Sequence, residues 1–223
     1  IDSLANNAIS EKATPGCQIL IAKEGKIIFN KSYGYHTYSK KKKVKNTDVY
    51  DLASITKISA TLPLLMKMVD NEKLNIDNTL GMYLDLDTSN KTGLVIRDIL
   101  AHQSRLKSWI PFYSFTLDND TINGVKVLRD TLYSSTESAI YPYKVADDIY
   151  LHFSYPDSIL KTIKYSELRE NKGYEYSDLG YYLFKEIIER NYNKQWNKLS
   201  SDYFYNKLGM ENLGYLPLDR IEK

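Results

Sequence analysis

The strongest constraint on this chain is an apolar run at helical spacing that begins just after Ser54. Ile55, Ile58, Leu62, Leu65 and Val69 recur at steps of 3, 4, 3 and 4, which is one face of an α-helix. The run predicts a central, well-buried helix, with a kink where Pro63 removes a backbone donor. The 223 residues suit one large domain or two small ones. With 43% hydrophobic and 26% charged residues the chain can bury a sizeable core. A net charge of +2 gives no reason to expect nucleic-acid or anionic-membrane binding. No apolar run approaches the roughly 20 residues of a membrane span. Tyrosine is abundant, 20 residues against 6 Phe and 2 Trp, and favours half-buried aromatic surfaces and clefts.

Residues 1–12 read as an amphipathic helix ended by Pro15-Gly16. A hairpin comes next: Cys17, Ile19 and Ile21 alternate with their neighbours, Glu24-Gly25-Lys26 turns, and Ile27-Ile28-Phe29 returns. Cys17 is expected to be a small buried apolar residue. Lys40 to Lys43 read as a solvated loop. Residues 95–100 start a short helix, followed by the aromatic stretch Trp109, Pro111, Phe112 and Tyr113. The polar, Tyr-rich segment 114–172 is expected to hold helices near 125–133 and 157–164 and to shape the substrate side of a cleft. A second long helix begins near Ser177, with Gly180, Leu183, Phe184, Ile187 and Ile188 as its buried stripe and Ser177 or Asp178 as its cap.

The chemistry is narrowed first by exclusion. The chain has no G-x-G-x-x-G, no Walker A loop, no H-E-x-x-H and no G-x-S-x-G. His36, His102 and His152 show no metal spacing and read as structural or surface residues. Ser-x-x-Lys occurs four times, at Ser39/Lys42, Ser54/Lys57, Ser104/Lys107 and Ser158/Lys161. Only Ser54 opens a long apolar helix. A hydroxyl there sits beside unpaired N–H groups at the positive end of the helix dipole, and Lys57 is one turn on, on the same face. Burial would favour the neutral amine, which could take the serine proton. The plainer alternative is a serine cap beside a solvated lysine. Tyr-x-Asp occurs at Tyr83/Asp85, Tyr155/Asp157 and Tyr176/Asp178. Only the last lies at a loop-to-helix junction, where a phenol can act as acid or base and Asp178 can accept a hydrogen bond from a substrate amide.

These residues resemble the serine β-lactamase-related superfamily, in its class C β-lactamase, D,D-peptidase and esterase branch. Asp51-Leu52-Ala53-Ser54-Ile55-Thr56-Lys57 is similar to the family's nucleophile motif, and Tyr176-Ser177-Asp178 to its Tyr-x-Asn motif. Lys73-Leu74-Asn75-Ile76-Asp77, Leu100-Ala101-His102-Gln103-Ser104-Arg105-Leu106 and Leu208-Gly209-Met210 resemble further family segments in order. The resemblance implies an α+β fold of β-lactamase/transpeptidase type over residues 1–223. Residues 1–50 would belong to the α/β layer, and 51–223 would form a mainly helical region in which 114–172 is variable. It implies Ser54 as acylated nucleophile, with Lys57 and Tyr176 moving its proton. Asp178, Trp109 and Tyr113 would contact a small-molecule or peptide substrate. It implies no cofactor, no metal, and a periplasmic or cell-surface location.

Three departures stand out. Asp178 replaces the usual Asn and cannot donate a hydrogen bond when ionised, which weakens a β-lactam or acyl-D-Ala reading and leaves room for esters or other amides. Arg105 replaces a Gly. No Lys/His-[Ser/Thr/Ala]-Gly motif occurs after residue 190. The family's remaining sheet strands are therefore expected beyond Lys223, which makes this chain a piece of a larger protein with little activity of its own. The Asp178 variant and the Trp109 to Tyr113 stretch look most like copies fused behind family 3 glycoside hydrolases. The competing reading is a catalytically impaired module that holds cell-wall-type fragments for a neighbouring catalytic domain. A third, a helical domain with chance motifs, requires Ser54 and Tyr176 to lie far apart.

Overall fold

In the computed structural model, which describes residues 1–122 and 125–217, the chain divides into two compact units, Ile1–Ala53 and Ser54–Lys223.

The first unit carries helix α1 (Asp2–Ser10) and a hairpin of β1 (Gly16–Lys23) and β2 (Lys26–Gly34). The strands pair antiparallel from Gly16 opposite Gly34 to Lys23 opposite Lys26, with an irregularity at Ile21/Ala22. Glu24 and Gly25 turn the chain with φ of 51° and 73°, the left-handed values that two-residue hairpin loops need. Cys17 is a free thiol, half-buried rather than buried. Lys40 to Lys43 are exposed, as a charged loop should be.

In the second unit the Ser54 helix forms, but its inward face is not the expected one. Ala60, Thr61, Leu64, Leu65 and Met68 are buried, while Ile55, Ile58 and Val69 are exposed. This helix is apolar on two sides, so periodicity alone could not choose between them. Pro63 adds a second cause. Leu62 N–H donates to the Lys57 carbonyl five residues back, a π-helical turn over Lys57–Thr61 that leads into α2 (Leu62–Asp70) and rotates the downstream residues about the helix axis. The proline also leaves the Ser59 carbonyl without its helical donor. The Tyr205 hydroxyl supplies one at 3.0 Å.

Around α2 lie α3 (Ile96–Leu100), α4 (Tyr155–Tyr165), α5 (Leu179–Tyr192) and α6 (Trp196–Ser200). Their core includes Leu80, Ile96, Ile99, Leu106, Ile163 and the expected α5 stripe of Leu183, Phe184, Ile187 and Ile188. Each of these large side chains contributes about 1.5–3 kcal/mol on burial. Residues 125–133 are not helical. β3 (Leu117–Ile122) pairs antiparallel with β4 (Val125–Leu128), and β5 (Tyr133–Ser134), β7 (Ile149–Leu151) and β6 (Tyr143–Ala146) form a small sheet in that spatial order. Val125, Val127 and Tyr133 suit strands, and two- to six-residue strands leave too short a pattern to separate from a helix turn. The helix expected near 157–164 is present as α4.

Gly180 fixes how α5 approaches α3. A Cβ there would lie 2.3 Å from Ile99 Cγ2 and 3.6 Å from Leu106 Cδ1. A Gly180→Ala protein should be less stable by about 1–2 kcal/mol, because overpacking costs about 1–3 kcal/mol and alanine's helix propensity returns only part of it. Thermal melting measures this, and an unchanged or raised midpoint would contradict the packing described.

Lys91 is fully buried. Its amine donates to Asn90 Oδ1 at 2.7 Å and to the Ser166 carbonyl. Burial is the main cause that lowers its pKa from 10.5 to about 8. Between these values the unfolded chain binds the proton and the folded one does not, so stability rises with pH across that window, by up to about 3 kcal/mol. Because tyrosines titrate there too, the measurement is the difference between the parent and Lys91→Met in denaturant melts from pH 7 to 10.5. That difference should shift in the parent's favour as pH rises. A flat difference would show that Lys91 keeps its charge inside.

Candidate active site

Residue 53 immediately precedes the turn that presents Ser54, and Ala53 has φ of 44°, a strained value for a residue with a Cβ. Ser54 is exposed at the head of its helix, and its carbonyl accepts the Lys57 N–H at 3.0 Å. The spacing of three brings the two side chains together: Lys57 Nζ donates to Ser54 Oγ at 3.0 Å.

The second arm comes from the approach to α5. Ser177 Oγ accepts the Leu179 N–H at 3.2 Å and donates to the Lys107 carbonyl at 2.6 Å. Ser177, not Asp178, therefore caps the helix start. Asp178 is free for another partner. Its N–H donates to the Ser108 carbonyl at 2.8 Å, and its Oδ1 accepts from Lys57 Nζ at 2.6 Å. The Lys57 side chain is 14% exposed and that of Asp178 44%. Tyr176 flanks the same amine, with Lys57 Nζ 4.9 Å from its ring centroid. Ser54, Lys57, Tyr176 and Asp178 are thus gathered around one ammonium.

This corrects the expected charge state of Lys57. Burial is the largest single influence and favours the neutral amine, but the hydrogen bonds to Asp178 and then Tyr176 outweigh it, so the pKa rises above its ordinary value. Lys57 is an ammonium near neutral pH. The Tyr176 phenol moves the other way. Hydrogen bonding with Lys57, then with Ser54, holds it below the usual phenol value against the pull of burial. The arrangement stores a proton on the amine and eases its removal from the phenol.

Trp109 and Tyr113 lie where Asp178 opens outward. With Ile110, Phe112, Leu179 and Tyr182 they line a cleft of about 260 Å³. The described lining comes from 109–113 and 178–182, so segment 114–172 does not provide it. That segment supports the wall from behind, where buried Tyr155 donates its hydroxyl to the Phe112 carbonyl at 2.5 Å.

His102, expected to be a structural or surface residue, is structural and stands beside Tyr176, a neighbourhood its spacing did not reveal. Its Nδ1 accepts the Ser177 N–H at 3.1 Å, and its ring lies 4.6 Å from that of Tyr176. Burial, then the charge of Lys57, lowers its pKa, which keeps Nδ1 available as an acceptor. The signal was its place in the Leu100 to Leu106 segment. Arg105, in the same loop, has φ of 66°, a value glycine adopts freely. Its Nε donates to the Arg169 carbonyl at 2.6 Å and its carbonyl accepts the Arg169 N–H at 2.8 Å.

The Beta-lactamase family model matches residues 1–222, and the chain belongs to that family. Protein flp of Staphylococcus aureus strain NCTC 8325 is 32% identical over 130 residues, covering 56% of this chain and 26% of its own length. N-acetylmuramyl-L-alanine amidase of Bacillus subtilis strain 168 is 26% identical over 226 residues, covering 92% of this chain and 44% of the relative. The chain therefore spans less than half the length of both. Among solved structures, the octameric penicillin-binding protein homologue of Pyrococcus abyssi superposes with a TM-score of 0.65 at 20% identity, over 94% of this chain and 42% of that one. The fold is thus of the β-lactamase/transpeptidase type, α+β as expected. No helix among the described residues is long and apolar enough to cross a membrane.

Proposed function

We propose that the protein carrying this chain is a serine hydrolase that works through an acyl-enzyme on a peptide, amide or ester. The observation that carries the reading is the hydrogen-bonded line from Ser54 Oγ through Lys57 Nζ to Asp178, with the acidified Tyr176 phenol alongside. Tyr176 as phenolate takes the Ser54 proton while Oγ attacks the substrate carbonyl. The proton then passes to the leaving group as its bond to the carbonyl breaks. A water repeats the sequence: it gives a proton to Tyr176 and its oxygen to the acyl carbon, the acyl–Oγ bond breaks, and Tyr176 returns the proton to Ser54 Oγ. Lys57 stabilises the phenolate and orders the exchange. The Ser54 N–H, at a helix start, would help hold the oxyanion.

The test is covalent labelling of the full-length protein with a fluorophosphonate. The label is expected on Ser54 and absent from Ser54→Ala. Equal labelling of both proteins would reject the reading. A second reading, an accessory binding module, draws support from Asp178, whose charge locks Lys57. It expects ligand binding without label. A cell-envelope location, and attachment to a glycoside hydrolase domain, belong to the same proposal and are tested by fractionating the native cells and by reading the whole gene.

A further inference from the structure

We infer that the cleft beside the Ser54–Lys57 pair selects small acyl groups bearing a protonated amine and turns away those bearing a carboxylate. The inference deepens the serine-hydrolase reading and rests on it. Its basis is the cleft's chemistry. Six of the lining residues are apolar or aromatic, and Asp178 is the single charged one. Trp109 and Tyr113 are 58% and 66% exposed, so their rings are open to a ligand. Aromatic faces beside a carboxylate are the surroundings that attract an organic cation.

The nearby charges point the same way. Lys57 would be the natural partner of a substrate carboxylate, but Asp178 Oδ1 already holds it at 2.6 Å. Glu175, joined to this wall through Ser108, is paired with Arg169 and adds little net charge. It accepts from Ser108 Oγ, and the Ser108 carbonyl takes the Asp178 N–H. Arg169 lies 3.7 Å from Glu175 and is occupied by it. His102 has its pKa lowered and adds no charge. Among the described residues lining the cleft there is no cation, so an anionic acyl group would meet the Asp178 carboxylate, whose charge Lys57 offsets only in part, and like charges brought together oppose binding. An asparagine at 178 would leave Lys57 able to meet such a group. The volume, about 260 Å³, lies below that of pockets for drug-sized ligands and suits a small acyl chain.

The experiment compares acylation of the full-length protein by 4-nitrophenyl esters of three matched acids: 4-aminobutyrate, pentanoate and succinate. We expect kcat/KM to fall in that order, with about tenfold or more between the cationic and anionic esters, the size of one charge-assisted contact. Asp178→Asn should collapse or invert the order. Trp109→Ala, which removes one aromatic face of the cleft, should reduce the advantage of the cationic ester over pentanoate. Equal rates for all three, a preference for succinate, or an order retained in Asp178→Asn would overturn the inference. If none of the esters turns over and Ser54 takes no fluorophosphonate, the hydrolase reading has failed. The charge preference is then read from binding of 4-aminobutanamide against succinamate by calorimetry, where equal affinities would end it and tighter amine binding would sustain it.

Discussion

A Lys57→Met protein should acylate Ser54 about 10²–10⁴ times more slowly than the parent, the usual worth of a positioned proton-transfer group. The loss is a consequence of geometry. Lys57 Nζ is the atom that touches both Ser54 Oγ and Asp178 Oδ1, and it is the first cause of the lowered Tyr176 pKa. Without it the phenol loses the largest influence that lowers its pKa, less phenolate forms, and Ser54 has a poorer base. Stability should change little. Methionine fills a similar volume, and the Asp178 carboxylate left behind is 44% exposed, so water can replace its lost partner; a penalty of about 1 kcal/mol is expected. Single-turnover labelling and thermal melting separate the two effects. A fall in stability that matches the fall in rate would mean the ion pair holds the fold and does no chemistry.

Much of this site was legible because its halves are local. A serine and a lysine three residues apart at a helix start must face one another, whatever else the chain does. Tyr176 and Asp178 were placed by the α5 stripe directly after them. The meeting of the halves was not local. Lys57 and Asp178 lie 121 positions apart, and spacing alone gave neither their contact nor its consequence, a lysine held charged rather than neutral. The resemblance brought the halves together but did not supply the ion pair, since it carries Asn at that position. The face of the Ser54 helix was misread for another reason. Ile55, Ile58, Leu62, Leu65 and Val69 form a sound stripe, but Ala60, Thr61, Leu64 and Met68 form a competing one, and a π-turn before Pro63 changes the phase between them. His102 was read as a structural or surface histidine and is a structural one, though its spacing did not show that it stands beside Tyr176. Its work is to accept one backbone N–H and to support one ring.

Replacing Asp178 with asparagine should move the pH–rate profile of acylation towards acid on both limbs. The rising limb reports loss of the Tyr176 proton. The Asp178 charge raises that pKa, as the smallest of its influences, so the neutral amide lets the phenolate form at lower pH. The falling limb reports loss of the Lys57 proton. After burial, which opposes it, the Asp178 hydrogen bond is the largest influence, and it raises the amine. Its removal lets burial dominate, and Lys57 deprotonates at lower pH. The falling limb should therefore move further than the rising one, and the active window should narrow. Rates at pH 7 should rise while rates at the alkaline end fall. The measurement is kcat/KM for the neutral pentanoate ester across pH 6 to 11, which keeps substrate charge out of the comparison. A profile that shifts towards alkali, or does not shift, would mean that the carboxylate does not control the proton on Lys57, and the charge state assigned to this site would be wrong.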